Sequence, residues 1–461
     1  MPEVNDVQSR LNPTPVQRVV TPSNEAEVAQ AIAVAVAEGL PVCVAGGRHA
    51  MGGQQFRAGG VLIDLTRMKR VVEFDRESGQ IEVESGIMWP ELIGYLHHAQ
   101  GAEAGDWAIR QKQTGVDRVT IGGSLAANIH GRGLYFAPLV EDIEAFTLIN
   151  AEGETVRCSR TSNPELFSLA IGGYGLFGVV TRVRLRLARR RKLKRMVEII
   201  AVRNFLPRIE AMREEGFLYG DCQYSIDLRS DEEFHAGVFS CYKPVDDDTP
   251  MAPGQRSLSA AEWSRLYALA RRDKAAAFDH YTQHYLKTSG QIYWSDEHQL
   301  SNVFEGYSDA VATRNETEMI TEIFVPPEAF IPFLVDARRD FVASEADVTY
   351  GTIRLVRRDT ESFLAWARED CVGIICNLHV KHSPQGIERA AADFRRVIDR
   401  AIQYGGRYYL TYHRFASTQQ LETCYPQVRD FLAHKRRYDP AGVFQSDWYA
   451  HYAEELEGVL G

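Results

Sequence analysis

"GGYGLFGVVTRVRLRL", residues 172 to 187, contains Gly173-Tyr-Gly175-Leu-Phe-Gly178. GxGxxG is the spacing of a dinucleotide fingerprint, in which the pyrophosphate rests on the N-terminus of a helix that follows a strand. Here the order is reversed. "NPELFSLA" (163–170) reads as a short helix, and "VVTRVRLRL" (179–187) alternates apolar and basic residues as a half-solvated strand does. No acidic residue ends a strand about twenty positions on, as a ribose-binding carboxylate would require; that region reads "RRRKLKR" (189–195). The glycines mark close backbone approach outside a Rossmann frame.

Two further stretches share this texture. "VCVAGGRHAMGGQQ" (42–55) runs from a short buried strand into four glycines that enclose an arginine and a histidine, and "VTIGGSLAANIHGRG" (119–133) follows later. Glycines leave backbone N–H groups uncovered, which suits a pyrophosphate. Around these stretches the chain alternates helix and strand. "SNEAEVAQAIAVAVAEGL" (23–40) opens with a Ser/Asn cap and acidic first-turn residues and closes at Gly39, and "AEGE" (151–154) turns a strand hairpin. After residue 190 the segments lengthen. Helices over about 258–287, 327–343 and 386–404 mix with strands over about 348–357 and 372–381, with an exposed loop at 243–255. "FLAHKRRYDPAGVFQSDWY" (431–449) reads as a basic helix stopped by Asp439-Pro440 and followed by an extended tail.

The bulk properties agree with an enzyme. A chain of 461 residues exceeds one ordinary core, and 45% apolar with 25% charged residues is typical of a soluble globular protein. A net charge of −10 argues against nucleic-acid binding. No apolar run reaches the roughly 20 residues of a membrane helix, so no integral membrane segment is expected. The polar start "MPEVNDVQSRLNPTP" lacks a signal-peptide core, which points to the cytoplasm. The seven cysteines are odd in number and form no CxxC pair, so neither a disulfide framework nor a cysteine metal site is expected. The basic run 182–195 is either a solvated strand edge or a docking patch for an anionic lipid head or a phosphorylated substrate.

The three glycine stretches in this order, followed by "KRRYDPAGVF", resemble the vanillyl-alcohol-oxidase, PCMH-type family of FAD-dependent oxidoreductases. Residues 15–190 and 405–449 carry the likeness. "VTIGGSLAANIHGRG" and the tail look most like decaprenylphosphoryl-ribose oxidases, whereas "GGRHAMGGQ" looks like alditol, aldonolactone and cytokinin oxidases or dehydrogenases. The resemblance implies an α+β fold: two α/β subdomains holding FAD over residues 15–190, an α+β substrate cap over 191–405, and a segment 406–461 that returns to the FAD domain. Residues 1–14 remain as an N-terminal tail.

By the same resemblance Gly46, Gly47, Arg48, His49 and Ala50 wrap the pyrophosphate. Gly122, Gly123, Ser124, Asn128, Ile129 and His130 run along the ribityl chain and ring. Gly178 and Val180 approach the adenine half, and Tyr409 lies near the ring. His49 stands where many relatives carry FAD covalently, and it serves either that bond or a hydrogen bond to phosphate. The ribose oxidases lack this histidine. His130 either stabilises the flavin loop or is a structural histidine satisfied by backbone. Bulky Ile129 stands where a small residue is associated with oxygen access, which tilts the expectation from fast oxidase toward dehydrogenase.

Flavin-dependent alcohol oxidation needs a group that receives the hydroxyl proton and donors that hold the substrate. In "VTYGTIRLVRRD" alternation puts Thr352, Arg354 and Val356 on one face, and in "IICNLHVKHSP" it puts Asn377, His379 and Lys381 together. Arg354, His379 and Tyr412 are the candidate catalytic residues. His379-x-x-His382 is no metal pair, because i and i+3 point to opposite faces of a strand, and no metal is expected. The expected function is oxidation of a CH–OH group of a polyol, sugar-derived or related small molecule, with oxygen or another electron acceptor. The alternatives are a prenyl-phospho-sugar epimerase-type oxidase, an NADPH-dependent reductase of a carbon–carbon double bond, and a non-catalytic flavin-binding protein.

Overall fold

The computed structural model describes residues 1–101, 106–228, 236–300 and 315–457. Its first lobe is a parallel sheet of Arg18–Val20, Val61–Asp64 and Val42–Ala45, in that order. The helix Glu25–Ala37 covers it. Asn24 caps that helix by accepting the Glu27 amide at 3.0 Å, and Gly39, at φ +67°, ends it. Val28, Ile32 and Ala35 pack from the helix onto Val42, Val61 and Ile63.

The C-terminal segment completes this sheet. The Val42 amide donates to the Val443 carbonyl at 2.7 Å, and the Gln445 amide donates to Val42 at 2.9 Å. Asp439 shapes the segment from inside: its carboxylate accepts the Val443 and Phe444 amides at 2.9 and 2.7 Å and pairs with the buried Lys435 ammonium. Beyond it the chain forms the helix Asp447–Glu457 where an extended tail was expected.

The second lobe is an antiparallel sheet in the order Thr155–Ser159, Ile143–Ile149, Val179–Arg186, Gln80–Glu84, Val71–Asp75. Helix and sheet mix as the α+β expectation has it, and within that fold this lobe's sheet is antiparallel. The tight turn at 150–154 can join only antiparallel strands, since a parallel pair needs a long crossover. The helix Pro164–Ala170 precedes the strand Val179–Arg186, the reverse of a Rossmann unit.

From Lys192 the chain builds the cap, an eight-stranded sheet ordered Ile292–Trp294, Lys192–Ile200, Gly237–Pro244, Tyr219–Tyr224, Val348–Val356, Cys371–Lys381, Glu316–Val325, Arg407–Tyr408. The sheet therefore reaches past residue 405. The expected helix 258–287 is two helices, Ala260–Ala270 and Lys274–Leu286, the second capped by Asp273. They cover one end of the sheet, while Phe330–Ala343 and Pro384–Gln403 lie on its other face.

Residues 1–14 are not a loose tail. Glu3–Val4 pairs with Thr14–Pro15, the Val7 amide donates to the Arg48 carbonyl at 3.0 Å, and the Thr317 hydroxyl donates to the Gln8 carbonyl at 3.3 Å. The basic run 182–195 is no free patch either. Arg182 pairs with Glu25, Arg184 with Glu73 and Glu82, Arg186 with Glu144, and Arg190 with Asp296 and Glu297. All seven cysteines are free and buried. Among the described residues no helix is long and apolar enough to cross a membrane.

Asp439→Ala is expected to cost about 3–5 kcal/mol, because it strands a buried ammonium and two amides. Arg437→Ala, which breaks an exposed pair with Glu165, is expected to cost under about 1 kcal/mol. Urea unfolding of the two variants measures the contrast.

Candidate active site

A continuous cavity of about 720 Å³ runs from the first glycine loop, between the lobes, to the polar face of the cap sheet. Gly46, Gly47, Arg48, His49, Ala50, Gly122, Gly123, Ile129, His130, Gly178, Val180, Arg354, Tyr409 and Tyr412 all line it. Ser124, Asn128 and His379 do not.

The first loop is pinned on three sides. A Cβ on Gly46 would fall on the Thr120 hydroxyl, and one on Gly47 on the Arg118 carbonyl, so glycine lets the loop lie flat against the second lobe. On the other side Met51 donates to the Thr411 carbonyl at 3.0 Å, and Gln54 Nε2 reaches the Leu410 and Tyr412 carbonyls. On the third side lies Val7. Arg48 takes a left-handed φ of 57°, a conformation non-glycine residues rarely adopt outside functional turns, and its guanidinium holds Asp64 at 2.6 Å. The amides of Gly46, Gly47, Arg48, His49 and Ala50 find no acceptor among the described residues.

The other glycine stretches play different parts. "VTIGGSLAAN" is the helix Ile121–Ala127 rather than a loop. Thr120 caps it through the Gly123 amide at 3.1 Å, and the Gly122 amide donates to Ser85 at 2.8 Å. Its amides are thus already satisfied. Ser124 accepts the Trp89 indole N–H at 3.0 Å behind the cavity wall. Asn128 ends the helix at φ +47° and ties it to Asp359, Ser362 and the Val140 amide. Gly178, at φ +142°, has no room for a Cβ, which would lie 2.8 Å from the Ile149 carbonyl.

His49 Nε2 lies 3.2 Å from the Arg118 carbonyl, which can only accept, so Nε2 carries the proton. Nδ1 is left as a lone pair without a partner among the described residues. Burial pulls the ring's pKa down to about 4, so the imidazole is neutral at pH 7. Five uncommitted amides, a nearby arginine and an orphaned neutral imidazole fit a dinucleotide whose phosphates lie on this loop.

At the other end Glu322 projects from the strand Glu316–Val325 beside His130 and Tyr412. His130 Nε2 lies 2.7 Å from Glu322 Oε1, the Tyr412 hydroxyl donates to Oε2 at 3.1 Å, and His130 Nδ1 faces the Gly131 carbonyl at 3.0 Å. Burial opposes the Glu322 charge, but His130, Arg354 and Tyr412 outweigh it and hold the carboxyl below its ordinary range. The Tyr412 phenol is pushed well above its usual pKa of 10 by burial and by the Glu322 charge. Tyr412 therefore donates a hydrogen bond and is no base. Arg354 is 8% exposed and has no acid partner among the described residues. Tyr409 donates to the Ala127 carbonyl at 2.7 Å.

His379 sits at the far end of its strand, clamped between Glu316 at 3.1 Å and Asp347 at 3.2 Å, away from the cavity. Alternation gave its face correctly, but not which end of the strand meets the cavity. Glu322 was missed by the sequence reading. Glu316, Glu318 and Glu322 recur at even spacing in "ETEMITEIFV", and that recurrence is the available signal of a polar strand face. The one cluster of possible metal-binding groups among the described residues, His97, Asp296 and Glu297, has the Arg190 guanidinium against it, at 3.1 Å from Asp296, which suits an ion-pair knot rather than a cation.

Gly47→Ala is expected to strip the purified protein of its yellow flavin colour, read by visible absorbance against protein content. His413, stacked on Phe415 at 5.2 Å near Asp6 and Arg414, has its pKa lowered to about 4 by burial. An unfolded histidine titrates near 6.5, so between that pH and 4 the unfolded chain binds a proton that the folded one refuses. Stability is therefore expected to fall as pH drops through this window, by up to roughly 3 kcal/mol for this residue. His413→Phe should flatten that part of the pH–stability curve in denaturant titrations.

Residues 16–159 match the family model described as the FAD binding domain. Cytokinin dehydrogenase 2 of Arabidopsis thaliana is 31% identical over 173 residues, 37% of this chain and 33% of that protein. L-gulonolactone oxidase of Mus musculus is 30% identical over 165 residues, 36% of each chain. An uncharacterized oxidoreductase of the fasciation locus of Rhodococcoides fascians is 29% identical over 174 residues, 37% of each chain. The chain spans about a third of the length of these curated relatives. The glycine loop with its uncommitted amides lies inside the matched region, and residues 16–159 are an FAD binding domain of the PCMH type, with similar proteins among the FAD-linked oxidases.

Proposed function

We propose that the protein is an FAD-dependent oxidoreductase that oxidises a CH–OH group of a small hydroxylated molecule bound in the cap chamber. Bound flavin would supply the hydride acceptor. The amides of residues 46–50 would hold the pyrophosphate, and the neutral His49 ring keeps Nδ1 free for a covalent bond to the cofactor. Gly178 and Val180 would flank the adenine half, and His130, Ile129 and Tyr409 the ring.

The observation that carries this reading is the anionic Glu322 carboxylate, buried between His130 and Tyr412 at the cavity wall. A substrate hydroxyl placed there meets an acceptor for its proton at Oε1 or Oε2. The proton rests on Glu322, and the His130 Nε2–H and Tyr412 hydroxyl contacts fix the carboxylate's orientation. Arg354, in the same wall and without an acid partner among the described residues, would orient an oxygen of the substrate. Ile129, 6% exposed in the cavity lining, would keep oxygen a slow acceptor.

Glu322→Gln keeps the shape and removes the proton acceptor. It is expected to lower the rate of anaerobic flavin reduction by roughly 10²–10⁴-fold without loss of flavin. A panel of polyols, sugar lactones and hydroxy acids should include one that bleaches the wild type without oxygen. Bleaching by NADPH alone, or by amines alone, would overturn the CH–OH assignment. Mass spectrometry of denatured protein should show the FAD mass added to the wild type and absent from His49→Ala.

A further inference from the structure

The far end of the cap chamber is built differently from the Glu322 end. Arg195, the last residue of the basic run, turns inward from the strand Lys192–Ile200 and is 8% exposed. Its Nε donates to the Ser240 hydroxyl at 2.9 Å. Its guanidinium carbon lies 4.5 Å from the centre of the Tyr285 ring and 5.5 Å from that of Tyr242. No carboxylate pairs with it among the described residues, unlike Arg182, Arg184, Arg186 and Arg190 of the same run. The two acids that face this end are already taken: Asp221 lies 3.4 Å from Arg132, and Glu297 lies 3.2 Å from Arg190. A guanidinium removed from water without a counter-ion is costly, and such groups are found where an anion completes them.

We infer that Arg195 is the anchor of a carboxylate site at this end of the chamber, so that the substrate is a hydroxylated carboxylic acid. That last step rests on the oxidoreductase reading; the site itself does not. With Nε committed to Ser240, the free Nη1–Nη2 edge presents two parallel N–H groups, which match the two oxygens of a carboxylate. Burial raises the pKa of Tyr281 well above 10 and that of Tyr285 also, so both phenols stay neutral and add no competing anion, with the Tyr281 hydroxyl engaged by Tyr285. Five strand spacings separate the Arg195 strand from the Glu322 strand. At about 4.8 Å each, this is roughly 24 Å along the sheet, so the acid is elongated, its carboxylate remote from its hydroxyl.

Calorimetric titration of the flavin-loaded protein with 4-hydroxycinnamate and with its neutral amide tests the site without turnover. The acid is expected to bind the wild type at least tenfold more tightly than the amide. Arg195→Met and Arg195→Gln should abolish that preference, and Arg437→Met, at the exposed pair with Glu165 outside the cavity, should retain it. Ser240→Ala, which releases Nε and leaves the charge, should weaken the acid severalfold and spare the amide, so a fold defect in the Arg195 variants does not hide the answer. Equal binding of acid and amide by the wild type overturns the inference. So does a preference that survives both Arg195 variants or disappears in Arg437→Met, and tighter binding of phenyl phosphate than of the acid overturns the carboxylate assignment. Failure of every alcohol to bleach the flavin would sink the oxidoreductase reading and leave these titrations standing.

Discussion

Gly46 and Gly47 lie against Thr120 and Arg118 with no space for a Cβ atom between them. That contact sets the separation of the two lobes. The strand Val42–Ala45 aims the loop at the second lobe, and the second lobe stops it. The amides of the next residues cannot fold back into a helix or a ladder and are left facing the cavity. The left-handed Arg48 follows from the same crowding: the chain must turn sharply just after the contact, and the ion pair to Asp64 helps to hold a conformation that its side chain disfavours. The energetic cost of bare amides and a strained residue is met by many contacts around the loop, as expected when an anion-binding turn is preorganised before its ligand arrives.

Those contacts come from distant parts of the chain. The N-terminal segment reaches the loop through Val7, and the returning segment reaches it through Thr411, Leu410 and Tyr412. Val443 and Gln445 extend the sheet from which the loop emerges. The cap, whose sheet begins at Lys192 and ends at Tyr408, is thereby an excursion fastened at both ends to the cofactor-binding lobes. A side chain such as Tyr412, which hydrogen-bonds Glu322 of the cap while its own carbonyl receives Gln54 of the loop, couples the position of the substrate chamber to that of the cofactor.

The glycine stretches were legible because a missing Cβ is a local fact about the chain, visible without a partner. Their roles were less so. Thr120 turns "IGGSLAA" into a helix by capping Gly123, and that use of a threonine looks in sequence like a glycine loop. Ser124 and Asn128 sit on the faces of this helix that turn from the cavity, which follows from helical rather than loop periodicity. In the cap, alternation correctly grouped Thr352 with Arg354 and Asn377 with His379. The end of a strand that meets a cavity depends on what packs beyond the sheet. His379 is covered by Asp347 and by Glu316 of the neighbouring strand, and Arg354 is not. The second lobe's strand order and the folded-back N-terminus are likewise set by long-range pairing that no window of the sequence contains.

The distribution of charge separates the molecule's structural ion pairs from its chamber. Along 182–190 the arginines named above are paired with carboxylates: the partly exposed pairs of Arg182, Arg184 and Arg186 each contribute little alone, whereas Arg190–Asp296 is buried. Inside the chamber the pattern inverts. Glu322 is held by the His130 imidazole, and Arg354 and Arg195 have no acid partner among the described residues. Pairing them internally would have stabilised the empty chamber and closed it to polar ligands. Left unpaired, they sharpen the electrostatic demand on whatever enters, because the low dielectric that makes an uncompensated charge costly also strengthens its attraction to a correctly placed opposite charge. On the proposed reading, selectivity for an oxygen-rich or anionic molecule would be built from this absence of internal partners among the described residues, with the backbone of the sheet holding the side chains in place.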